Sequence, residues 1–208
     1  MTSRGKVTPF LTMTLSALFV VGAMVPATPA QAASNPPFAV DFPQDAPSTV
    51  FSSTFGASRS GGRHHQGNDL MAPKLTHVYA AAAGIVTVID THGSAGRYIE
   101  IQHQAGWSTR YLHLNNDDPG TDNGQADWSM TLVRGLVVGS HVKAGQHIGY
   151  VGDSGNAEWT GSHTHFELAH DGGEVDPYPI LKDAYERAMS MQAATARGSM
   201  RFGDAKLS

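Results

Sequence analysis

Cysteine is absent from the 208-residue chain. Disulfide bonds and catalysis by a thiol are therefore excluded, and the fold must depend on core packing or on a bound metal. Concentrated positive charge is also lacking, because the 14 Lys and Arg residues are scattered and the formal net charge is −4. This charge distribution argues against nucleic acid as a partner.

A long, uninterrupted hydrophobic run is lacking too. The apolar stretch Phe10 to Val25 is interrupted by Thr and Ser and is shorter than the roughly 20 residues that a membrane-spanning helix needs. Arg4 and Lys6 precede this stretch, and the small-residue site Ala30 to Ala32 follows it. We therefore predict a signal peptide over residues 1–32, cleavage with no stable membrane span, and export to the extracellular space, cell wall or periplasm. A membrane anchor is the alternative.

The rest of the chain divides into three parts by composition. Residues 33–49 are rich in Pro, Ala and Ser and are predicted to be a linker or an N-terminal extension. Residues 50–178 contain short apolar or alternating runs separated by Gly-rich segments, which is typical of an antiparallel all-β domain. In residues 179–208, the composition between Ile180 and Arg197 predicts a helix. We expect a single β-sandwich-like domain with this C-terminal helix packed outside it.

Six runs within the central part are predicted to be strands. They are Val78 to Ala83, Gly84 to Ile89, Tyr98 to His103, Thr109 to Leu114, His147 to Val151 and His163 to Ala169. The third and fourth runs flank Gln104 to Trp107, a short Gly-containing connection that suits a β-hairpin. Asn115 to Trp128 is polar and contains Pro119, Gly120 and Gly124, which indicates a long exposed loop or insertion. Such loops often border binding sites.

One candidate metal-binding pair is His65 and Asp69, which are separated by Gln66-Gly67-Asn68. Gly67 and the preceding Gly61-Gly62 favour a loop or an extended segment over a helix. Imidazole and carboxylate are both good zinc ligands. Taken alone, this pair does not separate a metal site from an ordinary loop.

A second candidate is the pair of histidines in His163-Thr164-His165. A strand here places His163, His165 and Glu167 on one face and apolar residues such as Phe166 on the other. Two imidazoles at this spacing can bind one metal ion, or one can bind while the other transfers protons. A solvated strand face is the alternative.

His113 is the third candidate. On a strand it shares a face with Tyr111 and Thr109, opposite the apolar face of Leu112 and Leu114. A single histidine in such a setting is more often structural than catalytic, so its interpretation depends on the wider pattern.

In this order, the clusters resemble the lysostaphin/LytM family of peptidoglycan hydrolases, which are zinc metalloendopeptidases with the duplicated hybrid motif fold. The resemblance covers roughly Phe51 to Pro177. Its five motifs are Gly62 to Leu70, Val78 to Val86, Ser108 to Leu114, Val142 to Gly149 and Gly161 to Glu167. Five ordered motifs are far more specific than any one of them.

The resemblance implies that His65, Asp69 and His165 bind one Zn²⁺ ion, while His113 and His163 are catalytic. Three protein ligands and an open position are what a hydrolytic zinc needs. The implied function is an exported zinc metalloendopeptidase that hydrolyses amide bonds in the peptide part of bacterial peptidoglycan through a zinc-activated water. Which histidine is the general base, and which peptidoglycan bond is cut, stay open.

Two alternatives of other kinds remain at this point. The chain could be a noncatalytic LytM-like module that binds the wall or regulates another hydrolase, although such modules lose metal ligands. It could also be a zinc peptidase that acts on secreted proteins. Departures from the family pattern are Ser162 where proline is common, Thr164 where leucine is common, and a long stretch at Asn115 to Val138.

Two further motifs are interpreted as decoys. Gly152 to Gly155 resembles the nucleophile motif of chymotrypsin-like serine proteases, which need a larger fold than this one. Asp117, Asp118 and Asp122 lack the regular spacing of a calcium loop.

Overall fold

A computed structural model describes the backbone of residues 35–204 and the side chains of residues 35–197. The predicted signal peptide, residues 1–32, lies outside this range. The described part is an antiparallel all-β domain with one C-terminal α-helix, which confirms the predicted fold class. Its strands are β1 Asn68–Met71, β2 His77–Tyr79, β3 Gly84–His92, β4 Gly96–Gln102, β5 Trp107–Leu114, β6 His141–Val142, β7 His147–Tyr150, β8 His163–His170 and β9 Gly173–Val175; the helix is α1 Tyr178–Asp204.

The strand order brings distant motifs together. One sheet has the order β1-β8-β5-β4-β3-β6, with β9 paired to β8, while β2 and β7 form a separate two-stranded sheet. In the antiparallel register, Asp69 of β1 lies opposite His165 of β8, and Leu112 of β5 lies opposite His165 on its other side. The three histidine-containing segments predicted from the sequence are therefore neighbours in one sheet.

The predicted β4–β5 hairpin is present. Residues 103–106 connect the two strands, and both Ala105 and Gly106 have positive φ values, of 54° and 76°. A positive φ at Gly106 carries no Cβ penalty, which makes the tight reversal easier to form.

Strand β8 separates the core from the candidate site. Phe166 and Leu168 are each 1% exposed in the core, and the rings of Phe166 and Tyr111 pack edge to face with centroids 5.4 Å apart. The alternation predicted for this strand is therefore confirmed: His163, His165 and Glu167 occupy the opposite face and line a cavity.

The helix packs against an ordered N-terminal extension. Leu181 and Ala184 of α1 are buried, and the Phe42 and Tyr185 rings meet with centroids 5.2 Å apart. The Arg187 guanidinium donates a 2.7 Å hydrogen bond to the carbonyl oxygen of Val40. At least from residue 40 onwards, the segment predicted as a linker or extension thus contributes to the hydrophobic core. In the part of the chain that the structure describes, no helix has the length and apolar character needed to cross a membrane.

Lys74 connects two loops beside the sheet. Its amine lies 2.6 Å from Asp117 and Asp122 in the long loop after β5, and 2.9 Å from Asp153 in the loop before β8. Asp117 and Asp153 are buried, so this cation offsets part of the negative charge of carboxylates that water reaches poorly. The long loop, although mostly exposed, is therefore anchored at its start.

Candidate metal centre

A cavity of about 420 Å³ opens over the polar face of β1, β8 and β5. All five site residues predicted from the sequence line it: His65, Asp69, His113, His163 and His165. The structure therefore brings every member of the predicted set to one place.

Three ligand atoms from separate strands or loops converge in this cavity. The Nε2 atom of His65 and the Nδ1 atom of His165 each lie 2.9 Å from Oδ1 of Asp69, and the two nitrogens are 2.8 Å apart. Gly67 permits this approach, because a Cβ at that position would collide with the carbonyl oxygen of Phe166 in β8. The glycine is required for close packing of the two segments.

Hydrogen bonds on the far side of the imidazoles fix their tautomers. Nδ1–H of His65 donates to the carbonyl oxygen of Thr54 at 2.9 Å, and Nε2–H of His165 donates to the Glu167 carboxylate at 3.1 Å. Each ring then presents an unprotonated nitrogen to Asp69. Three lone-pair donors about 3 Å apart repel one another unless a cation lies between them. The donor set therefore fits a zinc ion, whose usual ligands are nitrogen and oxygen at about 2.0–2.2 Å.

The electrostatics of the cluster also favour a cation. Burial alone would raise the pKa of Asp69, but contacts with His165 and His65 hold it well below its usual range. Burial lowers the pKa of His165, yet Asp69 and Glu167 outweigh this effect and raise it above its ordinary value. The Asp69 and Glu167 carboxylates thus attract positive charge to His165, which either a proton or a metal ion supplies.

His163 and His113 have a different arrangement from the ligand candidates. Nδ1–H of His163 donates to the carbonyl oxygen of Gly161 at 2.8 Å, and Nδ1–H of His113 donates to that of Ser154 at 2.9 Å. Burial lowers the pKa of both imidazoles, that of His113 to about 4. Both rings are therefore neutral near pH 7, with an unprotonated Nε2 able to accept a proton.

The predicted faces of β5 are wrong at its C-terminal end. Thr109 and Tyr111 are buried on the core side, and the Tyr111 hydroxyl accepts a hydrogen bond from the Ala81 amide at 2.7 Å. His113 instead lines the cavity together with Leu112. The cause is a left-handed backbone at His113, with φ of 61°, where the β4–β5 register is also irregular. This break in the alternation returns the imidazole to the site.

Several groups that support the site escaped prediction. Glu167 orients His165, and its place two residues later on the same strand face is the sequence signal that could have indicated this role. Arg110 donates a 3.2 Å hydrogen bond to the other carboxylate oxygen of Glu167. The carbonyl oxygens of Thr54, Gly161 and Ser154 orient the remaining histidines, as described above. Backbone acceptors carry no side-chain signal, so no sequence pattern could have identified them.

The two decoys have structural roles. The Ser154 hydroxyl is buried, donates to the carbonyl oxygen of Leu114 at 2.7 Å and accepts from the Arg97 amide at 2.9 Å, so it cannot act as a nucleophile. Oxygens of Asp117, Asp122 and Glu158 lie within 4.8 Å of one another, but the Lys74 amine already contacts the first two. Lys74 therefore already supplies one positive charge to this acidic group.

Comparison with known proteins agrees with the fold and the site. The model of peptidase family M23 matches residues 63–177. The chain belongs to this family of peptidases. The match includes all five predicted site residues and ends where α1 begins.

Two curated relatives are endopeptidases by name, and the name of the first specifies peptidoglycan. The peptidoglycan DD-endopeptidase ShyA of Vibrio cholerae is 37% identical over 112 residues, which are 54% of this chain and 22% of that protein. The DD-carboxypeptidase/endopeptidase Mpg of Neisseria meningitidis serogroup B is 31% identical over 134 residues, 64% of this chain and 26% of that protein. The chain thus spans about a quarter of the length of these relatives.

Solved structures with the same fold include two peptidases. A zinc-containing peptidase from Vibrio cholerae superposes with a TM-score of 0.54 at 29% identity, covering 69% of this chain and 40% of that one. The catalytic domain of lysostaphin from Staphylococcus simulans gives a TM-score of 0.52 at 25% identity, covering 66% of this chain and 95% of that one. The lysostaphin-type fold expected from the sequence is confirmed.

Proposed function

We propose that this protein is a zinc-dependent endopeptidase that hydrolyses amide bonds in the peptide part of bacterial peptidoglycan. His65, Asp69 and His165 bind the zinc ion. The observation that carries the proposal is the convergence of their three lone pairs, each aimed by a partner outside the cavity. A noncatalytic module would have no need to maintain this arrangement.

The chemistry divides between the metal and the two other histidines. Zinc, when bound, lowers the pKa of a coordinated water and polarises the scissile carbonyl. His163 and His113 move protons at their Nε2 atoms, one accepting a proton from the attacking water and one serving the leaving amine or the developing oxyanion. Their Nδ1–H bonds to fixed carbonyls hold the rings in the tautomer that this role needs.

Peptidoglycan is the substrate class favoured by the relatives, since ShyA carries that activity in its name and Mpg is named a DD-carboxypeptidase/endopeptidase. Access to the wall requires export, and the predicted signal peptide over residues 1–32 would direct it. The mature enzyme therefore acts outside the cytoplasmic membrane, in the cell wall, the periplasm or the surrounding medium.

Digestion of purified peptidoglycan tests the proposal. The mature protein is incubated with the wall, with and without a chelator and with zinc restored afterwards, and the released fragments are identified by mass spectrometry. We expect new amine ends that disappear with the chelator and return with zinc, and the fragment masses name the bond. Intact wall that binds the protein would instead indicate a binding or regulatory module; cleavage of secreted proteins alone would indicate the other alternative.

A further inference from the structure

Trp159 directly precedes Thr160, which lines the metal cavity, and its own side chain is almost fully in contact with solvent. It belongs to the segment between Gly155 and β8, and its side chain is 90% exposed, whereas Trp107 in the core is 1% exposed. Aromatic side chains of this size usually bury about 150–250 Å². Nothing in the described fold accounts for leaving such a surface in water.

The segment that carries Trp159 is firmly held. The amide and the hydroxyl of Thr160 each donate a 2.8 Å hydrogen bond to the carbonyl oxygen of Ala157. The Ser162 hydroxyl donates to the carbonyl oxygen of Ala72 at 2.7 Å. The backbone that carries the indole is therefore held by hydrogen bonds within its own turn and to Ala72, next to β1.

A second, shallow cavity of about 590 Å³ lies beside the first. Trp159, Glu158, Asp122 and Ser162 line it, and Thr160 lines both cavities. The two cavities are therefore adjacent, and the second combines one aromatic face with carboxylates and hydroxyls. This is the chemistry that binds a sugar, whose C–H face stacks on an indole while its hydroxyl and amide groups form hydrogen bonds.

We propose that Trp159 and the second cavity bind the N-acetylated glycan strand of peptidoglycan while the stem peptide occupies the metal cavity. The inference rests on the proposed function, because the peptide that would be cut is joined at one end to that glycan. A peptide in the first cavity brings its own sugar to the rim, where the exposed indole lies. Trp159 thus determines a preference for glycan-linked peptides.

Paired substrates provide the test. Cross-linked peptides are prepared with and without their attached sugars, and kcat/KM is measured for the wild type, Trp159→Ala and Trp159→Tyr. Met191→Ala is the control, since Met191 on α1 is also an exposed apolar residue, at 71%. We expect Trp159→Ala to lower the ratio of kcat/KM for glycan-linked over sugar-free peptide by about two- to tenfold. Trp159→Tyr keeps most of the preference, and Met191→Ala leaves both rates unchanged.

A binding experiment separates this inference from the proposed function. Peptide-free glycan strands are titrated into the wild type and Trp159→Ala by calorimetry. Glycan binding by the wild type that is lost in Trp159→Ala supports the inference. If the wild type also hydrolyses no peptidoglycan, that failure defeats only the proposed function. An unchanged ratio of kcat/KM, or glycan binding that is absent or equal in the two proteins, overturns the inference.

Discussion

The imidazole rings of His113 and His163 meet edge to face, with centroids 5.0 Å apart and an interplanar angle of 63°. They come from different strands, β5 and β8, yet both direct Nδ1–H to a backbone carbonyl. Each therefore has its Nε2 lone pair available for proton transfer. His163 and His165, although separated by one residue, are thus expected to have different roles: proton transfer for His163 and metal binding for His165.

Replacing His165 by alanine should remove zinc and hydrolysis together, because one of three ligands is lost. Replacing His163 by alanine should abolish hydrolysis and leave most of the zinc bound, since its Nε2 lies 3.7 Å from Asp69 Oδ1, outside the ligand triangle. Zinc content after dialysis and release of amines from peptidoglycan measure the two effects. Retained hydrolysis in both variants would defeat the assignment of these roles.

Glu167→Gln should weaken zinc binding by about 10- to 100-fold, because the carboxylate that accepts Nε2–H from His165 is lost. Glu100→Gln is the matched control. Both carboxylates bind the Arg110 guanidinium, at 2.7 Å for Glu100 and 3.2 Å for Glu167, but only Glu167 contacts His165. Competition with a chromogenic zinc chelator measures the affinities. Equal affinities for the two variants would show that Glu167 acts only through Arg110.

His113→Gly and His113→Ala should both be inactive but should differ in stability. The left-handed φ of 61° is unfavourable for alanine and acceptable for glycine. We expect the glycine variant to have the larger free energy of unfolding, by about 1 kcal/mol. Urea denaturation measures this difference. An alanine variant at least as stable as the glycine variant would show that the backbone relaxes at this position.

Stability should fall below about pH 6.5, and His103 is one of the groups responsible. This buried imidazole lies 2.9 Å from the Ala83 carbonyl and 2.8 Å from the Thr109 hydroxyl, and burial lowers its pKa below the ordinary value. The unfolded chain therefore binds a proton at higher pH than the folded one, so protonation favours unfolding as the pH falls through this window.

Thermal unfolding of the wild type and His103→Gln between about pH 7.5 and about pH 5.5 checks this expectation. The wild type should lose more thermal stability across the range than the variant, in which this group cannot titrate. Parallel curves for the two proteins would assign the acid sensitivity to other groups.

Lys74→Met should destabilise the domain by about 2 kcal/mol, because two buried carboxylates lose their counter-charge. Lys182→Met is the control, since Lys182 pairs with Glu186 at 3.9 Å on the exposed face of α1, where such pairs contribute about 0–1 kcal/mol. Chemical denaturation of both variants provides the comparison. A similar loss in the two would mean that the carboxylates near Lys74 are solvated or protonated.

The sequence predicted most of the site because β-strand alternation holds along β8. Periodicity alone therefore predicted the correct strand face for His163, His165 and Glu167. Periodicity failed at His113, where one left-handed residue breaks the alternation, and nothing in the composition of its segment marks that break. The family resemblance grouped His113 with the other candidates through its motif, and the structure places His113 in the same cavity, which the geometric argument did not predict.

The N-terminal segment was the hardest part of the fold to predict. Its apolar residues Val40, Phe42 and Ala46 are buried, but they are spaced among prolines without a regular period. Their burial depends on packing against Tyr185 and its neighbours in α1, which lie more than a hundred residues later in the chain. Local sequence patterns do not contain such long-range contacts.

The N-terminal extension determines how far the chain can be truncated for recombinant expression. A fragment cut at the borders of the family match, residues 63–177, would discard both Phe42 and Tyr185 and leave a bare apolar patch that invites aggregation. It would also discard Thr54, whose carbonyl oxygen sets the tautomer of His65. The smallest competent recombinant unit is therefore larger than the region of sequence similarity.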